Sequence, residues 1–324
     1  MKHILVTGAA GFIGSHLSEA LLANGYEVSG IDNFDPFYDR AIKEQNLEAL
    51  KRNNHFRFIE ADISDKSSFD LLEVQVDAVI HLAAKAGVRP SIQDPMGYIN
   101  TNIVGTNNIL NWMQSKGIKK FVFASSSSVY GNNKKIPFSE SDNVDNPISP
   151  YAFTKKSGEL MNFSFHHLYQ MDIVNLRFFT VYGPRQRPDL AIHKFIKLID
   201  ADKTIPVFGK GDTYRDYTFI TDIVKGIIAS LDYVNSNENV YEIFNIGNNQ
   251  PVSLIELITT LYRLMGKDPR LEYLPMQPGD VDRTYASIEK AQKLLGYSPS
   301  TTIEEGLKKF IEWYHIKKTL KPVK

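Results

Sequence analysis

The 324-residue chain contains no cysteine, which excludes disulfides, thiolate metal sites and cysteine nucleophiles. It also lacks a net charge, with 37 lysines and arginines against 37 aspartates and glutamates. A nucleic-acid or anionic-membrane partner therefore has no global electrostatic support. No apolar run approaches the roughly 20 residues of a membrane span. Residues 1–8 are broken by glycine and have no separate cleavage region, so they read as the first strand of a domain, not as a secretory leader. A reducing compartment fits a chain without thiols, and the expected location is cytoplasmic. Lysines 317, 318, 321 and 324 make a basic tail, expected to be a frayed soluble end and not a membrane anchor. His81, His166, His167 and His193 show no paired metal-ligand spacing, so no metal is expected. His166 and His167 read as part of a solvated helix face.

The first 130 residues alternate between two patterns. Apolar runs at 4–7, 27–31, 56–60, 76–82 and 119–124 read as strands. Amphipathic stretches at 15–23, 41–53 and 98–116 read as helices between them. Such alternation implies an α/β fold with a Rossmann-type doubly wound parallel sheet. A further helix is expected over 151–169 and a strand over 172–178. After residue 180 proline, arginine and glycine become frequent and the elements shorten. We therefore expect a first domain over 1–179 and a smaller mixed α/β domain over 180–324. The chain is expected to cross back near 215–246, because 241–246 reads as another buried strand.

Gly8-Ala9-Ala10-Gly11-Phe12-Ile13-Gly14 follows a strand and opens a helix, the context a dinucleotide fingerprint needs. Gly8 permits the tight turn, Gly11 admits a pyrophosphate to the backbone amides, and Gly14 allows close helix–strand packing. Asp32 ends the second strand, where a carboxylate binds the adenosine ribose hydroxyls. It would repel a 2′-phosphate, so NAD is favoured over NADP. Asp62 and Ile63 after the third strand suit the adenine, and a simple turn explains that pair almost equally well.

Tyr151 and Lys155 are four positions apart on the helix predicted from 151, so they share one face. There the lysine cation can lower the phenol's pKa. Four consecutive serines, Ser125 to Ser128, end a strand and can bring a hydroxyl to the same site. Thr7-Gly8-Ala9-Ala10-Gly11-Phe12-Ile13-Gly14, His81-Leu82-Ala83-Ala84, Ser125-Ser126-Ser127-Ser128-Val129-Tyr130-Gly131 and the Tyr151/Lys155 pair occur in that order. The set resembles the extended short-chain dehydrogenases/reductases of the nucleotide-sugar epimerase/dehydratase group. The resemblance continues through Arg177-Phe178-Phe179-Thr180-Val181-Tyr182-Gly183-Pro184, Arg215-Asp216-Tyr217-Thr218-Phe219-Ile220 and Phe244-Asn245-Ile246-Gly247, and so covers nearly the whole chain.

The resemblance implies roles. Tyr151 would be the base that takes a sugar hydroxyl proton, Lys155 would favour its anion, and Ser126 would relay the proton. The implied cofactor is a tightly held, internally recycled NAD. Its implied contacts are the glycine fingerprint with Phe12 and Ile13; Asp32, Asn33, Asp62 and Ile63; Leu82, Ala83, Ala84 and Lys85; Asn102, Tyr151, Lys155 and Phe178. For a UDP-sugar it implies Arg215, Asp280 and Arg283, with Arg89 as a further candidate; forked arginine contacts suit phosphates. It also implies a homodimer through the helices near 98–116 and 151–169.

Related 4,6-dehydratases carry an Asp-Glu pair after the hydroxyl residue, and related decarboxylases carry a glutamate there. Here those positions are Ser127 and Ser128, which cannot act as comparable acids. What remains is 4-epimerisation: oxidation at carbon 4, rotation of the ketone, and hydride return to its other face. The hydroxyls of Ser127, Ser128 and Thr180, with Arg185 and Arg187 close in sequence, would suit a carboxylate on carbon 5. The serines could instead cap backbone groups at a strand end. The stretches 139–145 and 180–190 most resemble UDP-glucuronate 4-epimerases. The rivals are 4-epimerases of UDP-glucose or UDP-N-acetylglucosamine, a net oxidoreductase, and a non-catalytic NAD-binding regulatory module.

Overall fold

The computed structural model describes residues 2–69, 72, 75–275 and 283–319. Asp280, Lys321 and Lys324 lie outside them. In chain order the strands are β1 (His3–Thr7), β2 (Glu27–Asp32), β3 (Phe56–Glu60), β4 (Ala78–His81), β5 (Lys120–Ser126), β6 (Asp172–Phe178), β7 (Thr180–Tyr182), β8 (Ile205–Phe208), β9 (Tyr214–Phe219), β10 (Tyr241–Ile246), β11 (Pro251–Ser253) and β12 (Leu271–Leu274). Seven of them form one sheet in the order β10-β6-β5-β4-β1-β2-β3. Every pairing in it is parallel.

A parallel sheet needs both faces covered, and the strand sequences supply apolar side chains to both. Ile4 and Val6 of β1 join one core cluster, whereas Leu5 between them joins the other. Val122 and Val174 likewise face the first cluster, while Phe121, Phe123 and Ile173 face the second. β10 takes the sheet edge beside β6 with Phe244 opposite Leu176, so the chain returns to the sheet after β9. β7, β9 and β11 form a three-stranded sheet, and β8 pairs with β12 in a two-stranded one.

The strand order reverses at β1, which lies between β2 and β4. Crevices form at such switch points, beyond the carboxyl ends of the strands. The glycine fingerprint, Asp32, the serine row and Phe178 all sit at those ends. No helix among the described residues is long and apolar enough to cross a membrane.

Candidate active site

The crevice is a cavity of about 560 Å³. At its floor, β1 turns into helix Phe12–Ala23 through the fingerprint. Gly8 has φ +74°, and a Cβ there would stand 2.9 Å from the Ala83 amide nitrogen. A Cβ on Gly14 would be 2.1 Å from the Gly8 carbonyl oxygen. Both glycines thus let backbone segments pack closely where the strand turns into the helix, whose N-terminus lines the cavity. Asp32 closes β2; its carboxylate accepts from the Ala10 amide at 3.2 Å and the Phe34 amide at 2.9 Å. Burial pushes that carboxyl up, and Lys43, 3.8 Å away, pulls it back.

At the other end, helix Pro150–Tyr169 begins with Ser149 as its cap, accepting from the Ala152 amide at 3.1 Å, and Pro150 in the first turn. Tyr151 therefore sits in the first turn of a 20-residue helix, where the macrodipole favours an anion. Its hydroxyl is within the influence of Ser126, the last residue of β5, whose side chain favours the phenolate. Lys155 follows one turn later with Nζ donating to the Ala124 carbonyl at 2.6 Å. The three residues named in sequence are thus brought together. The electrostatics differ from the expectation in one respect. Burial pushes the Tyr151 phenol up, with Ser126 and Arg187 pulling back, and burial pushes Lys155 down to about 7. Enclosure dominates both shifts because each group leaves water. His81 lies between Thr7 and Thr106, with Nδ1 2.6 Å from Thr7 Oγ1 and Nε2 3.0 Å from Thr106 Oγ1; burial lowers it to about 3, so it is neutral.

The family model for GDP-mannose 4,6 dehydratase matches residues 5–310. The chain belongs to that family. Within it, the chain is 46% identical to the UDP-glucuronate 4-epimerase of Thermodesulfobacterium geofontis, over 97% of this chain and 96% of the relative. Its fold superimposes with a TM-score of 0.91 on the crystal structure of UDP-glucuronic acid 4-epimerase from Bacillus cereus in complex with UDP-glucuronic acid and NAD. That match has 40% identity and covers 98% of this chain and 99% of the other. The UDP-glucose 4-epimerase of Thermotoga maritima, solved with UDP-glucose, gives a TM-score of 0.88 at 33% identity, covering 98% and 100% of the two chains.

In this family member the cavity wall takes in most of the residues singled out from sequence. Phe12, Ile13, Asn33, Ile63, Leu82, Ala83, Ala84, Lys85 and Phe178 line it, as do Arg89, Ser126, Ser127, Ser128, Thr180, Arg187 and Arg215. Four described residues stand outside that lining. Asp62 accepts from Ser64 and from Asn33 Nδ2 at 2.9 Å, fixing the loop beyond β3. Asn102 holds both main-chain groups of Lys85, accepting from its amide at 2.9 Å and donating to its carbonyl at 3.0 Å. Arg283 lies over the Tyr214 ring at 4.3 Å. Arg185 turns away to Glu19 at 2.8 Å and Ser15 at 3.4 Å on helix Phe12–Ala23, whereas Arg187 pairs with Asp189 and donates to the Ala86 carbonyl at 3.1 Å. Gly183 with φ +140° and Arg185 with φ +66° turn the two arginines apart.

Sequence reasoning missed Asp35, Phe37, Tyr38 and Lys43, which line the wall near Asp32, and Thr284 near Arg215. Lys43 had a usable signal: it is a cation on the inward face of helix Arg40–Lys51, buried with Asn46, Leu47 and Leu50. Among the described residues no cluster of three or more His, Asp or Glu side chains is arranged to hold a metal.

Proposed function

We propose that the chain is an NAD-dependent UDP-sugar 4-epimerase whose substrate pair is UDP-glucuronate and UDP-galacturonate. The observation that carries this reading is the distribution of charge along one cavity. Its described lining holds six cations, Lys43, Lys85, Arg89, Lys155, Arg187 and Arg215, and two carboxylates, Asp32 and Asp35, both after β2. Basic side chains in that number suit the diphosphates of two nucleotides in one cleft, with Lys85 and Arg187 also paired to Asp94 and Asp189. The carboxylates stand at the ribose end, so the serine row has hydroxyls and no acid among these lining residues. Elimination of water between carbons 5 and 6 needs such an acid and base. Proton transfer at carbon 4 needs only the Tyr151–Ser126 pair.

Bound NAD would supply a hydride acceptor for carbon 4 and return the same hydride. The residues of this chain handle the proton and the sugar. Tyr151 accepts the 4-hydroxyl proton as the ketone forms and gives it back after the ketone has turned over, so no net oxidation results. Ser126 hydrogen-bonds the phenol and holds the reacting oxygen in line. Lys155 and the helix N-terminus stabilise the phenolate. Ser128 Oγ is buried without a hydrogen-bond partner, while Ser127 and Thr180 line the same wall. An orphaned buried hydroxyl is destabilising unless a ligand satisfies it, and a sugar carboxylate accepts from three hydroxyls. This favours the uronate over UDP-glucose, whose sugar carries no charge. Neutral donors also hold the β-keto acid intermediate without a nearby protein acid to assist loss of carbon dioxide.

We also propose a cytoplasmic homodimer, and a division of labour between residues 1–179 for the cofactor and 180–324 for the sugar nucleotide, with 215–246 returning to the sheet. Exposed Met96, Val104, Leu160 and Phe163 lie on the helical stretch 95–115 and on its neighbour Pro150–Tyr169, which supports pairing through those helices. Sedimentation at the protomer mass would remove the dimer. The activity is tested by NMR of the NAD-loaded protein incubated separately with UDP-glucuronate, UDP-glucose and UDP-N-acetylglucosamine. The expected result is an axial carbon-4 epimer from the uronate; none from any of the three defeats the reading.

A further inference from the structure

A second constellation lies one layer beneath the serine row and takes no direct part in the relay. Helix Pro150–Tyr169 carries Glu159 about two turns beyond Tyr151 and one beyond Lys155, on the same face. Glu159 Oε1 accepts from Ser125 Oγ at 2.6 Å and from Arg177 Nε at 2.9 Å, while Oε2 accepts from Arg177 Nη2 at 2.9 Å. Arg177 Nη1 donates to the Tyr130 hydroxyl at 3.0 Å, and that hydroxyl donates to Asn245 Oδ1 at 2.7 Å. In the sheet Arg177 has Ser125 as its partner on one side and Asn245 on the other. The network therefore crosses β5, β6 and β10. It ties the helix bearing Tyr151 to the turn, Ser127–Tyr130, that presents Ser127 and Ser128.

Glu159 and Arg177 are each 1% exposed. A buried ion pair is a poor source of stability, since apolar residues of the same volume often serve as well or better. Fully satisfied, however, such a network fixes geometry. Its charge also has a consequence that an apolar pair would not have. Eight residues along a helix is about 12 Å, and one unbalanced charge at that distance moves a titrating group by about one pH unit at an effective dielectric constant near 20.

We propose that Glu159 and Arg177 are a charge-neutral positioning pair: their hydrogen bonds hold the serine row against the catalytic helix, and their mutual neutrality keeps either charge from shifting the proton affinity of Tyr151. The inference rests on the proposed role of Tyr151 as the base. Tyr151 is otherwise faced by Lys155 on its own helix, Ser126 on β5, Tyr98 of helix Pro95–Ile99 edge-on at 6.2 Å, and Arg187 from the loop after β7. His81 of β4, beside Lys155, is neutral. Glu159 also faces Lys156 at 3.8 Å, and its main-chain carbonyl accepts from the Tyr241 hydroxyl at 2.8 Å. All of these groups stay in place in the variants below.

The test reads Tyr151 without any sugar. Tyrosinate absorbance of the NAD-loaded protein is followed against pH, each protein being compared with the same protein carrying Tyr151→Phe. Glu159→Gln leaves Arg177 unbalanced and should lower the Tyr151 midpoint by about one pH unit, whereas Arg177→Met should raise it by about as much. Arg177→Lys keeps the charge and loses the fork, so the midpoint should stay while kcat falls. Shifts of the same sign in the first two variants, or no shift, overturn the proposal. If neither single variant folds, the neutral Glu159→Gln/Arg177→Met double variant decides: an unmoved midpoint sustains the pair and a displaced one defeats it. Failure of the epimerase reading would show separately, as absence of a carbon-4 product from the unaltered protein.

Discussion

Burial acts in opposite directions on the two ionisable members of the proposed relay, raising the Tyr151 phenol and lowering Lys155 to about 7. Each is pushed toward its neutral form because charge is destabilised away from water. For Lys155 the folded value lies below the ordinary 10.5, so between about 7 and 10.5 the unfolded chain binds a proton that the folded one releases. Stability from this group therefore rises with pH across that window and is at its lowest below it. Lys155→Met should accordingly raise the melting temperature of the cofactor-free protein at pH 6, corresponding to about 1–3 kcal/mol, and flatten the rise toward alkaline pH. The same substitution should abolish most turnover. A lower melting temperature at pH 6 would show that the Ala124 hydrogen bond outweighs the burial of charge. Tyr151→Phe keeps the ring and should retain NAD by fluorescence titration while losing on the order of 10²–10⁴ in kcat. Near-normal turnover would move the base elsewhere.

Element by element, legibility in the sequence followed the strength of periodicity. The central strands of the large sheet carry apolar side chains on both faces, as a doubly covered parallel sheet requires, so the sheet could be read before its pairings were known. The helix over 98–116 was legible as a helix but not in its detail. It runs as Pro95–Ile99, a π-helical turn Asn100–Val104, and Gly105–Ser115. Such wide turns recur at functional sites because they redirect one side chain. Here the turn carries Asn102, whose Nδ2 also donates to Thr154 Oγ1 at 3.0 Å, so one amide joins the cofactor-side loop to the helix of Tyr151. Asn102→Ala leaves the Lys85 amide and carbonyl without these partners and should destabilise by about 1–3 kcal/mol. NAD affinity should fall with it, since Lys85 lines the cleft. Equal denaturation midpoints and equal NAD affinity in the variant would contradict this. The divergence of Arg185 and Arg187 was not legible, because strand or helix periodicity does not govern a loop with two positive-φ residues.

Over the whole molecule the hidden information is long-range pairing: Glu159 meets Arg177 and Asn245 meets Tyr130 only once three strands are side by side, and no local pattern announces either contact. Asp216 is the counterpart beside Arg215 on β9. It is fully buried on β9 and accepts from the amides of Asn248 at 2.7 Å, Asn249 at 3.1 Å and Ala286 at 3.1 Å. Its own amide donates to Thr284 Oγ1 at 3.2 Å. One carboxylate thus joins the three-stranded sheet, the segment leaving β10 at the edge of the large sheet, and the segment carrying Thr284. Arg215 and Thr284, on either side of that junction, line the cavity. Asp216→Asn replaces an acceptor oxygen with an amide group that must face backbone N–H donors, so about 2–4 kcal/mol of stability should be lost. The helix carrying Tyr151 and the glycine fingerprint lie outside this junction, and under the proposed function kcat should therefore change less than KM for the UDP-sugar. Steady-state kinetics alongside chemical denaturation separates the cases: a KM left unchanged while kcat collapses would place the coupling at the reacting carbon, and not at the nucleotide end of the cleft.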